Sequence, residues 1–263
     1  MTLAPFELGP LAWVLLATAA LLVGISKTAL PGINTISIAI FAAVLPAKAS
    51  TGALLLLLIV GDVLALLSYR READWRALVR LIPFAAVGLA LGAVFLAFAA
   101  DDWVRRLIGA VLLCLIAFTL WQRLGPGSRA SANVSRDTSE PQRAAGLTAR
   151  AGFGALGGFT TMVANAGGPV MSMYFLAARL PVKTFLGTAA WFFAVINLVK
   201  LPISMSLGLF TPATLQLDLL LIPGVVAGAF IGRWIASRIR QRVFEWAVIG
   251  GTALGATYLL VAQ

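Results

Sequence analysis

Apolar residues in this chain come in long runs without charges, separated by short loops. Ten such segments can be read, at about residues 11–26, 32–45, 50–69, 78–99, 103–122, 146–163, 169–179, 185–204, 217–236 and 243–261. Runs of this kind have one stable home. In hydrocarbon every backbone N–H and C=O must find its partner within the chain, so spanning segments are helices or closed barrels. The runs are continuous, where the strands of an outer-membrane barrel alternate apolar and polar residues. Composition agrees: 60% of the 263 residues are hydrophobic and only 11% charged, against about 25% charged in a soluble domain. The expected fold class is an all-α polytopic membrane protein.

The formal net charge is +10, a balance that in a soluble protein would raise nucleic acid as a partner. Here the Lys and Arg residues fall mostly in short loops between apolar runs, which is the pattern of membrane topology. The partners expected are the lipid bilayer and a small anion, not nucleic acid. The chain has no histidine, which removes the commonest metal ligand and the commonest general base. No catalytic residue, metal site or cofactor is expected. The one cysteine, Cys114, lies in an apolar run and reads as a small buried residue; it leaves no internal disulfide to form. No basic region precedes the first apolar run, which argues against a cleaved signal peptide.

Residues 124–143, "LGPGSRASANVSRDTSEPQR", form a polar linker rich in Ser, Gly, Pro and Arg. It divides a first membrane repeat, 1–123, from a second, 144–263. "LPAKASTG" (Leu45–Gly52) recurs as "LPVKTFLG" (Leu180–Gly187), an offset of 135 that also places Asp62 on Asn197. "LIPFAAVGLALG" (Leu81–Gly92) recurs as "LIPGVVAGAFIG" (Leu221–Gly232) at an offset of 140. Shared Pro, Lys and Gly in register mark an internal repeat.

Basic residues set the expected orientation. Arg70, Arg71, Arg76 and Arg80 flank one loop. Arg123, Arg129, Arg136, Arg143 and Arg150 fill or flank the linker. Arg179 and Lys183 mark a third loop, and Arg233, Arg238, Arg240 and Arg242 a fourth. Placing all four in the cytoplasm leaves Lys48, Arg105, Arg106 and, at the margin, Lys200 on the other side. Both termini then lie outside the cell inner membrane, and equivalent helices of the two repeats run antiparallel. Each inverted repeat is expected to be a broken helical hairpin plus three transmembrane helices. The hairpin limbs, about 11–18 residues, are mostly shorter than the roughly 20 needed to span. They are either re-entrant or full tilted spans.

The two hairpin tips are "SKTALPGINT" (Ser26–Thr35) and "TTMVANAGGP" (Thr160–Pro169). Each sets hydroxyls, an asparagine, glycine and proline between apolar limbs. They read either as ordinary turns outside the membrane or as an interrupted site near the midplane, where broken backbone is tolerated if it lines a cavity. In the second case the N–H groups of the helices that open after Gly32 and at Gly167 and Gly168 favour an anion. Asn34 and Asn165 add side-chain donors, and Ser26, Thr28 and Thr35 add hydroxyls. Lys27 is either the cation that attracts the anion or a lysine snorkelling from a helix end. Asp62, in "LLLLIVGDVLALL" (Leu55–Leu67), is the one acid read as deep inside an apolar run. It either forms a structural ion pair, with Lys27 for example, or carries a coupling proton. Lys200 lies one turn beyond Asn197, facing the same cavity or anchoring at the interface. Gly88, Gly92, Gly228 and Gly232 have the four-residue spacing of close helix packing.

With those residues in hand, a resemblance emerges. "LLVGISKTALPG", "TGALLLLLIVGDVLALLSYRREADW", "NAGGPVMSMYFL", "PVKTFLGTAAWFF" and "NLVKLP" together resemble the TauE/SafE sulfite exporters, also called TSUP permeases. The resemblance implies a multi-pass inner-membrane permease that exports a small sulfur-containing anion such as sulfite or sulfoacetate, with proton or ion coupling undecided. By motif it brings forward Lys27, Asp62, Asn165, Gly167, Gly168, Asn197 and Lys200. Many relatives are glycine-rich where this chain has "ISKTALPG", so the substrate preference does not transfer with it. The rival readings are an anion channel, a carrier for another carboxylate or oxyanion, and an intramembrane enzyme. Against the last, Ser26 and Lys27 are adjacent and point in different directions from a helix.

Overall fold

A computed structural model describes residues 8–104, 106–108, 110, 111, 114, 147–178, 180–240, 243 and 246. The linker 124–143, most of segment 103–122 and nearly all of segment 243–261 lie outside the described residues, as do residues 1–7. The described chain is helical: α1 (Pro10–Thr28), a 3-10 turn (Pro31–Ile33), α2 (Asn34–Val44), α3 (Ala47–Tyr69), α4 (Trp75–Phe98), α5 (Leu147–Ala164), α6 (Gly167–Ala177), α7 (Val182–Ser206) and α8 (Pro212–Arg238). A further helical stretch opens at Asp101. Five of these helices, α1, α3, α4, α7 and α8, are long and apolar enough to cross a membrane. The protein is an all-α polytopic membrane protein.

Helix ends follow local chemistry. Pro10 opens α1, where its missing N–H is no loss. Asp74 caps α4 by accepting from Arg76 N and Ala77 N. Thr211 and Thr214 form a reciprocal capping box at the start of α8. The α3 start is capped from a distance: Asp101 accepts from Ala47 N at 3.2 Å and Lys48 N at 3.0 Å.

The second hairpin has limbs of the expected lengths, and the first is more uneven than expected. The first limb, α1, has 19 residues, about 28 Å at 1.5 Å per residue, close to a full crossing. Its return limb α2 has 11. In the second hairpin α5 has 18 residues and α6 has 11. Each hairpin is therefore one long limb and one short one. The reason is that the helix runs on through the first polar residues of the tip and stops only near Pro31 or Asn165.

The long limbs are held by exchange between the halves. A Cβ on Gly228 would strike the backbone of Leu21, and one on Gly24 the backbone of Val225. In the other pair, a Cβ on Gly88 would strike Ala155, and one on Gly158 would strike Ala85. Thus α1 of the first half packs on α8 of the second, and α5 of the second packs on α4 of the first. The glycines at four-residue spacing are close-packing positions, as expected. Meanwhile α3 and α7 cross between the halves. Gly52, near the start of α3, abuts Leu209 beyond the end of α7; Gly187, near the start of α7, abuts Tyr69 at the end of α3. The two helices therefore run antiparallel.

Large apolar residues on the outside, such as Leu67, Phe98, Leu219 and Phe230, form the face that a bilayer would cover. Exposed Trp75 and Trp234 lie near helix ends, the place of interfacial aromatic residues. Tyr69, Glu72, Lys183 and Arg233 share one cavity, and Trp191 Nε1 donates to Arg70 O at 3.1 Å. Basic loops expected on the same side are thus gathered at one end of the molecule. Cys114 is exposed, not buried as read from the sequence. An apolar run carries no mark of which side meets protein and which meets lipid.

Leucine at Gly228 or Gly158 is expected to push its helix pair apart and cost at least about 1–3 kcal/mol, the usual range for overpacking. Gly152→Leu, where a Cβ would meet nothing within 4 Å, should leave stability unchanged. Thermal unfolding of the purified protein in lipid nanodiscs checks all three.

Candidate functional site

The two tips meet. Pro31 forces Leu30 into an extended conformation (φ −132°, ψ 78°), so α1 cannot continue. Hydroxyls then stabilise the turn: Ser26 donates to Pro31 O at 3.2 Å, and Thr35 donates to Gly32 O at 2.7 Å. Thr28 donates to Gly24 O and to Ala229 O, each at 3.0 Å, tying the tip to α8. In the second tip Asn165 takes a left-handed conformation, φ 54°, which asparagine tolerates better than most residues. That reversal lets Gly167 begin α6 two residues after α5 has ended.

Asn165 is the hub of the junction. Its Nδ2 donates to Thr51 O at 3.0 Å and its backbone oxygen accepts from Asn34 Nδ2 at 3.3 Å. Its Oδ1 accepts from Lys200 Nζ at 2.6 Å, and the same ammonium donates to Thr161 O. Lys200 is fully buried. It is neither an interfacial anchor nor a cavity wall; it stands behind Asn165 and holds the strained turn.

A second buried network faces it. Lys27 Nζ lies 2.6 Å from Asp62 Oδ1 and 4.6 Å from the centre of the Phe193 ring. Asn197 Nδ2 donates to the other carboxylate oxygen, Asp62 Oδ2, at 2.6 Å. The Lys27–Asp62 contact is close and ionic. The two residues that the repeat offset superimposes in sequence, Asp62 and Asn197, therefore touch in space. Lys27 does not snorkel; its side chain is 9% exposed.

Between the networks is a cavity of about 20 Å³, room for one or two waters at about 10–15 Å³ each. Among the expected residues, Ser26, Lys27, Asn34, Asp62, Asn165, Gly168 and Asn197 line it. Thr28, Gly32, Thr35, Gly167 and Lys200 do not. The hydroxyls of Thr28 and Thr35 are taken up by backbone carbonyls, so they shape the tip instead of the cavity. Sequence reasoning had not singled out Leu58, Thr161, Ala189, Ala190 and Phe193, which also line it. Leu58 precedes Asp62 by one turn, and Ala189, Ala190 and Phe193 precede Asn197 within two turns. Helical spacing from those polar residues was a signal that pointed to them. Asn34 Oδ1 and Asn197 Oδ1 are buried without a partner, so the lining keeps unused hydrogen-bonding capacity. Gly168 brings the α6 start against Pro31 O, and its first-turn N–H groups are free of helical partners.

One expectation is corrected. Asp62 is not alone among buried acids: Asp218 is 3% exposed. An acid two residues inside an apolar segment reads as its polar edge. The helix in fact starts at Pro212, which places Asp218 in the second turn. Among the described residues no group of three or more His, Cys, Asp or Glu could hold a metal ion.

Buried cations, an ion pair and interrupted helices around a small cavity, enclosed by lipid-facing helices, describe a membrane permease. The model of the sulfite exporter TauE/SafE family matches residues 16–259, and the chain belongs to that family. Neither a curated protein nor a solved structure matches it.

Removing Asp62 alone (Asp62→Leu) strands a buried lysine and is expected to cost about 3–5 kcal/mol. Removing both charges (Lys27→Met with Asp62→Leu) should recover most of that loss. A double-mutant cycle that includes Lys27→Met alone, read by thermal unfolding in nanodiscs, measures it; a double-variant loss equal to the sum of the two single losses would mean the pair is not coupled. Asn165→Gly keeps the backbone turn and removes the amide, so it should cost less than Asn165→Ala, which keeps the strain of a positive φ at about 1–3 kcal/mol.

Proposed function

We propose that this permease exports a small sulfur-containing anion, sulfite or an organosulfonate such as sulfoacetate, across the cell inner membrane by alternating access. The observation that carries the reading is the buried cavity where the tips of the two halves meet, with Lys27 on its wall and the start of α6 beside it. An anion entering there is attracted by the Lys27 ammonium and can accept from first-turn N–H groups at Gly167 and Gly168. Asn34, Asn165 and Asn197 supply amides. Asp62 moderates the charge of Lys27, so that the site is not too attractive to release its cargo. Lys200 acts through Asn165 as a positioning residue.

The inverted repeat supplies the motion. Two halves of equivalent build, 1–123 and 144–263, expose one shared site to either side in turn. The basic loops and the linker lie in the cytoplasm and both termini outside. A cavity with room for only a water or two favours a carrier over a channel, because the helices must part to admit an anion. The family is one of transporters.

Purified protein in proteoliposomes is expected to move radiolabelled sulfite or sulfoacetate saturably and to leave chloride behind. Lys27→Ala, made with Asp62→Asn to avoid a stranded carboxylate, should lower flux at least about tenfold, which corresponds to about 1.4 kcal/mol. If no oxyanion moves through wild-type protein, or if the double variant transports normally, the reading fails.

A further inference from the structure

Among the described residues Asp218 is the one buried acid that the anion site does not use. It lies on the inward stripe of α8 with Thr214, Leu221, Val225, Gly228 and Gly232. Neither carboxyl oxygen has a hydrogen-bond partner. Its position rules out a capping role: α8 is already capped by Thr211 and Thr214, and Asp218 lies beyond the first turn, where N–H groups are free. Among the described residues no ion pair holds it either. The helices packed on α8 are α1 and α3. On α1 the one charged side chain, Lys27, is paired with Asp62. On α3 the ionisable groups are Lys48 in the first turn, Asp62, and Tyr69 in the last turn. On α8 itself Arg233 and Arg238 lie four turns or more away. Among the described residues no counter-charge faces it, and an ionised carboxylate buried in this way is costly.

We propose that Asp218 is the proton-binding site of the transport cycle, loaded in this closed conformation and unloaded when α8 shifts and opens it to water. The proposal rests on the anion-permease reading for its cargo, but not for its chemistry. Two features link the proton to the anion. Asp218 lies seven residues into α8, about 10 Å from its start, within reach of the loop 207–211 and the aqueous side next to it. Further along, α8 is locked to α1 by backbone contact at Gly24, Gly228 and Gly232 and by Thr28 donating to Ala229 O. A shift of α8 that changes the setting of Asp218 therefore carries the Lys27 tip with it. The exchange is a simple acid–base step: the carboxyl O–H gives its proton to water, and the carboxylate takes one back.

Two experiments test this on the full chain. The first treats wild-type protein in nanodiscs with dicyclohexylcarbodiimide, which adds to a protonated carboxyl in an apolar setting. Mass spectrometry should find the adduct on Asp218, falling as pH rises and absent in Asp218→Asn; Asp62, held by Lys27, should stay unmodified. No adduct on Asp218 overturns the proposal. The second uses proteoliposomes loaded with unlabelled sulfite and given radiolabelled sulfite outside. Asp218→Asn, which keeps the shape of the protonated acid, should lose at least about tenfold of the uptake driven by a pH gradient. Sulfite exchange at equal pH on both sides should persist. Driven uptake that survives in Asp218→Asn, or exchange lost along with it, counts against a proton site. If wild-type protein moves no sulfite, the anion reading is what fails, and the carbodiimide result alone decides the proton site.

Discussion

A lysine and an aspartate that are both charged are costly to hold apart in the interior of a membrane protein. Lys27 comes from the tip of one hairpin and Asp62 from a crossing helix, and their 2.6 Å contact fixes where that tip can lie. Asn197 of the other half completes the carboxylate's coordination. The same demand for partners recurs at Asn165, whose reversed backbone is held by Lys200, Thr51 and Asn34. Broken helices persist here because every break is answered by a polar group from the opposite half.

The glycine contacts serve that requirement. With backbone against backbone at Gly24 and Gly228, and at Gly88 and Gly158, each long limb is anchored to the half it does not belong to. The short limbs α2 and α6 are left to form the junction. A tip built on such a scaffold can be displaced as a unit with its partner helix, which is the mechanical property alternating access needs. The hydroxyls of Ser26, Thr28 and Thr35 stiffen the tip by donating to carbonyls freed where the helix ends.

Much of this was legible in the sequence because hydrocarbon imposes simple rules. Apolar runs without charges had to be helices, and the shared Pro, Lys and Gly at offsets of 135 and 140 suggested two related halves. Lys27 and Asp62 stood out because charge in such a run is costly. The tip residues stood out because proline and glycine interrupt helices. Limb lengths were less legible, since polar residues at a tip can be helical when their side chains bond back to carbonyls, as Thr28 does. Asp218 and Cys114 were misjudged because burial depends on which face of a helix meets protein. A helix apolar on every side does not display that in its periodicity.

The sequence by itself determined the class of fold, the family and the two interruptions, since each rests on local composition and spacing. Only the tertiary structure decided the pairing: that Lys27 belongs to Asp62, that Lys200 stands behind Asn165 instead of lining the cavity, and that Asp218 has no partner among the described residues. Those outcomes depend on contacts between residues as far apart as 135 positions. Such contacts are set by how close the glycines let the helices approach and by the need to satisfy each buried charge, which no single segment can meet from its own residues.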